Sequence, residues 1–293
     1  MMDDTQTLAW SFLLIPFLVT LILTGIHVYL GLHVLTRGII FVDLALAQVA
    51  ALGTTVALLA GHDMDDPEAY FWALGFTLAG AIVFAATRRL ASRVPQEAII
   101  GIVYAVASAA MILAMDRAPH GAEHIKELLV RDILWVQDWH VVLKLAGIYA
   151  AIGAFHWVFR KRFLAATFSP DHGTGKGWSL FLWDLLFYGT FGVVVTSSVQ
   201  VAGVLMVFSY LMVPSVMAAL MVDSIAARLA VGWVAGFLVS VTGLYASVKW
   251  DLPTGTTVVV TFGIALSLLA AVLWILRTVR AVRSPAPKQV PAK

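Results

Sequence analysis

Apolar residues in this chain run in blocks instead of alternating with polar ones. Blocks of roughly 20 residues, nearly free of acids and bases, are each followed by a short stretch that holds the charges. A helix rises ~1.5 Å per residue, so such a block reaches across the ~30 Å hydrocarbon core of a bilayer. The pattern predicts about nine spans, eight to ten depending on where ends are drawn: Leu8 to Gly31, Ile39 to Ala60, Ala69 to Thr87, Ala98 to Met115, Val141 to Val158, Trp178 to Ser198, Val201 to Val222, Leu229 to Val248 and Thr256 to Leu276. The fold class is therefore all-α, a polytopic transmembrane helix bundle over residues 1–278, followed by a basic, disordered cytoplasmic tail over 279–293. Composition agrees, with 61% hydrophobic and only 12% charged residues, where an ordinary globular domain has about 25% charged.

Charge placement sets the orientation. Alternating sides along the spans puts 14 of the 19 Lys and Arg residues on one side, and the acidic start and the His62 to Glu68 loop on the other. The positive-inside rule makes the basic side cytoplasmic, with the N-terminus outside and the C-terminus inside. The start carries two acids and no basic n-region, which reads as a first span and not as a signal peptide. The expected location is the cell's inner (plasma) membrane, crossed many times. On the outside, Ile125, Leu128, Leu129 and Ile133 fall at helical spacing with Trp135 as an interfacial anchor, predicting a short helix against the outer mouth.

Candidate chemistry is sparse. The absence of cysteine excludes disulfides and thiolate sites, so any metal must meet His, Asp, Glu, Gln or Met. The GTGKG run at 173–177 lacks the first Gly of a phosphate loop, where Pro170 stands, and its Ser or Thr, where Gly177 stands. ATP hydrolysis must then belong to a partner, and nothing suggests nucleic acid. His120, Glu123 and His124 spell the inverted zinc-peptidase pattern, but in a loop too short to build a protease around it. Together with His62, Asp63, Asp65 and Asp66 they form an acidic outer surface that would attract cations. Inside the apolar blocks a charged group costs about 2.5 to 3.5 kcal/mol at mid-span, so each marks a pathway or a partner. The candidates for a translocation pathway are His27, Asp43 and Gln48, the last two ~140° apart on an ideal helix. His156 and Asp184 lie near the cytoplasmic side and suit structural roles, and His33 and Arg37, near the inner end of the first span, are placed to snorkel or to bond a helix terminus. Pro214, flanked by Ser209 and Ser215, frees a backbone carbonyl in mid-membrane and is the candidate gate region.

Three stretches give these segments a family likeness: HVLTRGIIFVDLALAQVAALG in the second span, EAIIGIVYA opening the fourth, and VTSSVQVAGVLMVFSYLMVPSVMAAL through DLPTGTTVVV. In order and wording they resemble the permease subunits of metal-transporting ABC importers, the ABC-3 family that takes up zinc, manganese or iron. The resemblance implies a transport subunit and not an enzyme. It implies a dimer with a second copy, an external metal-binding protein, cytoplasmic ATPase subunits holding ATP, a divalent metal ion as substrate and no permanently bound cofactor. It also implies that the inner segment RKRFLAATFSPDHGTGKGWS docks the ATPase, with Ser169, Pro170, Asp171 and His172 at its centre, although that stretch is Gly-rich and reads as poorly helical. Many family members carry an Asp and a His one turn apart in the second span. Here Phe41 and Gly53 keep the register, Asp43 comes one position early, and Gln48 stands where the His would be. Gln is a weak zinc ligand beside imidazole, so the change marks either a subgroup with a different pathway or a shift of selectivity towards harder ions. The rival readings are a secondary transporter or channel without an ATPase, and an intramembrane metalloenzyme built on His120, Glu123 and His124.

Overall fold

A computed structural model describes residues 4–88, 93–116, 121–168 and 178–283. Lipid offers the backbone no hydrogen bonds, so apolar blocks must satisfy their own, and among the described residues they do so as helices with no strand. The order is α1 (Asp4–Arg37), α2 (Val42–Leu59), α3 (Pro67–Thr87), α4 (Gln96–Met115), α5 (Gly121–Leu129), a 3-10 turn (Ile133–Trp135), α6 (Trp139–Val158), α7 (Arg160–Phe168), α8 (Trp178–Met221), α9 (Ile225–Trp250) and α10 (Thr254–Arg283). Eight of these helices are long and apolar enough to cross a membrane. Ends follow local chemistry: Pro67 opens α3, Asp138 accepts the His140 N–H at 2.8 Å before α6, and Ser224 caps α9 through Ala227.

The 44-residue α8 contains both the predicted sixth and seventh spans, and it is not straight. Phe187 packs on His33, ring centroids 5.7 Å apart, and Thr190 reaches Tyr29 of α1 through the His156 ring. Ser215, further along the chain, donates to the Val28 carbonyl at 3.3 Å. On one continuous helix Thr190 and Ser215 would lie ~37 Å apart, yet both sit beside the same two turns of α1. The chain therefore reverses between them. It does so at Gly203, with φ 74° and ψ 163°, a backbone region essentially reserved for glycine. A Cβ there would also lie 2.7 Å from the Arg131 nitrogen and 2.9 Å from the Leu129 oxygen. With α8 counted as two arms, the eight membrane-length helices among the described residues supply nine apolar segments.

The first arm of α8 runs through the middle of the subunit. It touches α3 at Thr196 and Thr77, 3.0 Å apart, and buries Phe187, Tyr188 and Phe191 completely. The second arm packs on α9 and α10, with Tyr210 edge-on to Phe262 at 5.4 Å. Helices α4, α6 and α10 are peripheral and leave apolar residues such as Ile102, Leu143 and Leu268 exposed, as a lipid-facing surface requires. One end of the bundle gathers Arg37, Arg88, Arg93, α7 and Arg228, and the other gathers Asp63, Asp65, Asp66, α5 and the 3-10 turn. These are the basic and acidic ends below.

Several bounds differ from expectation. Helix α1 runs six residues beyond Gly31, because Arg37 does not snorkel to water but is buried against an acid. Residues 160–168 form α7, contrary to the poorly helical reading, because Phe163, Ala166 and Thr167 bury one side of it in the body; residues 169–177 lie outside the described residues. Helix α10 continues to Arg283, past the expected start of the tail. The amphipathic segment forms α5 only as far as Leu129, with Leu128 buried; Ile133, expected on the same helix, is buried in the separate 3-10 turn, where Trp135 is exposed.

Substituting Gly203→Ala should cost about 1 to 3 kcal/mol from backbone strain alone, with the lost approach to Arg131 adding to it. Gly101→Ala, where an added Cβ meets nothing within 4 Å, should be neutral. Denaturant titration of the two purified variants in detergent checks the difference.

Candidate translocation site

Polar groups buried in this bundle divide into those that are paired and those that are not. The paired set is concentrated at the basic end. Asp184, on the first arm of α8, accepts from Arg37 Nη1 at 3.0 Å and from Arg88. Arg37 Nε donates to Thr167 at 3.0 Å, His33 Nδ1 shares that hydroxyl at 2.8 Å, and Arg88 reaches the Ala166 carbonyl at 3.1 Å. The Arg37 guanidinium also lies 4.0 Å over the Phe187 ring. This network ties α1, α3, α7 and α8 together. His156 is satisfied on both ring nitrogens, by Tyr29 and Thr190, and stacks on Phe163 at 4.0 Å. Both residues expected to be structural are therefore fully engaged in packing.

The unpaired set, besides Nη2 of Arg37, contains atoms of the three pathway candidates. Both carboxylate oxygens of Asp43, Oε1 of Gln48 and Nε2 of His27 are buried with no hydrogen-bond partner. Asp43 sits in the first turn of α2, where the positive end of the helix favours a carboxylate. His27 is on α1, its Nδ1–H donating to the Leu23 carbonyl at 2.8 Å; that fixes the tautomer and leaves Nε2 with a free lone pair. Among the described residues α1, which carries His27, and α2, which carries Asp43 and Gln48, barely touch. The structure thus leaves the candidates on two separate helices. It adds Glu97, which the sequence reading missed. One oxygen of Glu97 accepts the N–H of Phe41, the residue capping α2, at 3.0 Å, and the other is buried without a partner. The available signal was its place at the head of the EAIIGIVYA block.

The candidate gate residues lie in a packed seam. Ser209 and Ser215 donate to the Leu205 and Leu211 carbonyls at 2.9 and 2.8 Å. The backbone stays helical through Pro214, whose ring would lie 3.2 Å from a Cβ on Gly236 of α9. At the acidic end a cavity of about 910 Å³ opens between α5, the 3-10 turn, α6 and the first arm of α8, lined by Asp65, Glu127, Arg131, Lys144 and Ser197 among others. Arg131 bridges Glu127 at 2.9 Å and Asp65 at 3.0 Å and donates to the Gln200 carbonyl. Burial works against its charge, but Glu127 and Asp65 outweigh it and hold the guanidinium pKa above its ordinary value.

The residues expected to form one cation-attracting surface do not form one group. Ligand atoms of His62, Asp66 and Glu68 lie within 4.8 Å of one another, and Asp66 also accepts the Asp63 N–H at 2.8 Å, whereas Asp65 turns to Arg131. Glu123 and His124 are on α5, and His120 lies outside the described residues. So do Ser169, Pro170, Asp171 and His172, the expected docking residues.

A family profile described as the ABC 3 transport family matches residues 9–274. The chain belongs to that family. This ABC 3 family member is 22% identical over 256 residues to the manganese transport system membrane protein MntC of Halalkalibacterium halodurans, covering 87% of this chain and 85% of that protein. It is 26% identical over 260 residues to a Haemophilus influenzae protein named "Probable iron transport system membrane protein", covering 87% and 91%. Among solved structures, PsaBC from Streptococcus pneumoniae in complex with Fab has the same fold, with a TM-score of 0.72 at 20% identity over 88% of this chain and 90% of that one.

In this ABC 3 family member Asp184 pairs with the buried Arg37 and the partly buried Arg88, so removing it takes the carboxylate partner from both. Asp184→Ala should cost about 3 to 5 kcal/mol of stability, while Asp223→Ala, whose carboxylate is exposed and 3.9 Å from Arg228, should cost under ~1 kcal/mol. Unfolding of both variants by denaturant in detergent is the check.

Proposed function

We propose that this chain is the membrane-spanning permease subunit of an ABC importer for divalent transition-metal ions, and that manganese is its substrate. Asp43 carries the reading. A buried carboxylate with neither oxygen bonded is expensive in lipid, and in a member of a transport family that cost is explained by a cation that binds in passing. Asp43 and Gln48 offer hard oxygen donors, with no thiolate in the chain and no imidazole on α2, a set that suits manganese better than zinc. Relatives named for manganese and iron transport support the same class. The basic end faces the cytoplasm, the acidic end meets an external metal-binding protein, and the membrane is the plasma membrane. ATP is hydrolysed by partner ATPase subunits that dock beside α7, and two copies of this chain form the working unit.

Uptake of radioactive manganese is to be measured in cells lacking other high-affinity manganese systems, with the ATPase and the binding protein coexpressed. Asp43→Asn should lower uptake at least ~tenfold, the loss of a charge-assisted interaction of about 1.4 kcal/mol or more. Equal uptake at matched expression would contradict the role of Asp43. Uptake that survives ATP depletion and follows an ion gradient would contradict the importer.

A further inference from the structure

We propose that the start of α3 holds one aminophospholipid, its acyl chain in an apolar groove along the helix and its primary ammonium on His62, Asp66 and Glu68. The groove, about 620 Å³, is lined by Glu68, Phe71, Trp72, Gly75, Phe76 and Ala79. These positions fall at i, i+3, i+4, i+7, i+8 and i+11, so they form one stripe of α3. Phe71 and Trp72 are 67% and 42% exposed, Trp72 leans on Phe76 with ring centroids 6.4 Å apart, and the small Gly75 and Ala79 leave the depression beside these rings. The opposite side of α3 packs inward, Ala73 on Gly53 of α2 and Thr77 on Thr196 of α8 at 3.0 Å. The groove therefore faces away from the body of the subunit.

Its length selects the occupant. Glu68 to Ala79 is ~17 Å of helix, about half of the ~30 Å hydrocarbon core, and beyond Ala79 the stripe is filled by the exposed Ile82 and Val83. The groove is one leaflet deep. A partner helix that crosses the membrane would need a seam through the whole layer. A second copy related by a two-fold axis along the membrane normal would set Asp66 and Glu68 at the height of their own copies, like charge beside like charge. One acyl chain of the leaflet at the acidic end meets neither objection.

Chemistry at the mouth of the groove selects the headgroup. Glu68 belongs both to the groove and to the triad whose ligand atoms lie within 4.8 Å of one another. The sequence has no Lys or Arg between Arg37 and Arg88, both of which sit at the basic end, and Arg131 of the acidic end is engaged by Asp65 and Glu127. A primary ammonium carries three N–H donors, one for each member of the triad. Asp66 precedes α3 without capping it, since its carboxylate accepts the Asp63 N–H instead. The positive end of α3 is thus left without a side-chain cap, and it offers the lipid phosphate a place beside the ammonium.

Native mass spectrometry of the purified full chain in detergent tests the site, with phosphatidylethanolamine or phosphatidylcholine of the same acyl chains added at equal concentration. Gly75→Leu fills the groove without disturbing the fold, because a Cβ at Gly75 meets nothing within 4 Å; Gly101→Leu, at an equally open glycine, is the reference. The parent and Gly101→Leu should each retain one phosphatidylethanolamine, at least ~tenfold more tightly than phosphatidylcholine, whose ammonium has no N–H to donate. Gly75→Leu and Asp66→Asn/Glu68→Gln should each weaken that retention at least ~tenfold. Equal retention of phosphatidylethanolamine in the parent and both substituted proteins overturns the site, and equal retention of the two lipids by the parent overturns the recognition of the ammonium. Mn2+ bound by the parent and by Gly75→Leu but not by Asp66→Asn/Glu68→Gln, with no lipid retained, gives the triad to a divalent ion and overturns the proposal. A dimer that Gly75→Leu converts to monomer with lipid retention unchanged gives the face to a second copy, and overturns it equally.

Discussion

A bilayer core gives a polar group no water to fall back on, and every other feature of this molecule follows from how that constraint is met. Backbone groups close their bonds within helices. Side chains that must enter the apolar layer either find partners across helices, as Asp184 does with Arg37 and Arg88, or are left bare. The first kind holds the bundle together. The second kind has its extreme in Asp43, with both oxygens unbonded, while His27, Gln48 and Glu97 each leave one atom so, and the proposed transport function gives those atoms a use.

The same constraint explains the shape of α8. A reversal at the membrane surface needs few exposed backbone groups, and Gly203 achieves it in one residue by adopting a conformation closed to other residues. Its lack of a side chain lets the segment around Leu129 and Arg131 press against the turn. Helix α5, the reversal and Arg131 are therefore one construction at the acidic end.

Much of the fold could be read from block lengths alone, because a span is set by bilayer thickness and needs no tertiary information. The nine blocks correspond to the eight membrane-length helices among the described residues, α8 taking two of them, and the amphipathic stretch before Trp135 forms a short helix that ends at Leu129. Pairings were not legible. Arg37 and Asp184 are 147 residues apart, and Arg37 at a span end reads as a snorkelling residue until the partner is seen. The helical start of the inner segment was obscured by the glycines after it, although Phe163, Ala166 and Thr167 gain stability from packing that propensity does not measure. In the site, Asp43 and Gln48 stood out because ionisable and amide groups are rare in apolar blocks. Glu97 did not, since at a helix start it passes for an ordinary first-turn acid, and Asp65 could not be told from its acidic neighbours until Arg131 was seen to claim it.

The central claim is that the bare carboxylate of Asp43 is kept for a cation. Electron paramagnetic resonance tests it directly, by titrating Mn2+ into purified protein in detergent and following loss of the free-ion signal. The parent protein should remove at least one equivalent of Mn2+ more than Asp43→Asn, with the outer acidic residues contributing equally to both. Identical titration curves for the two proteins would contradict the account.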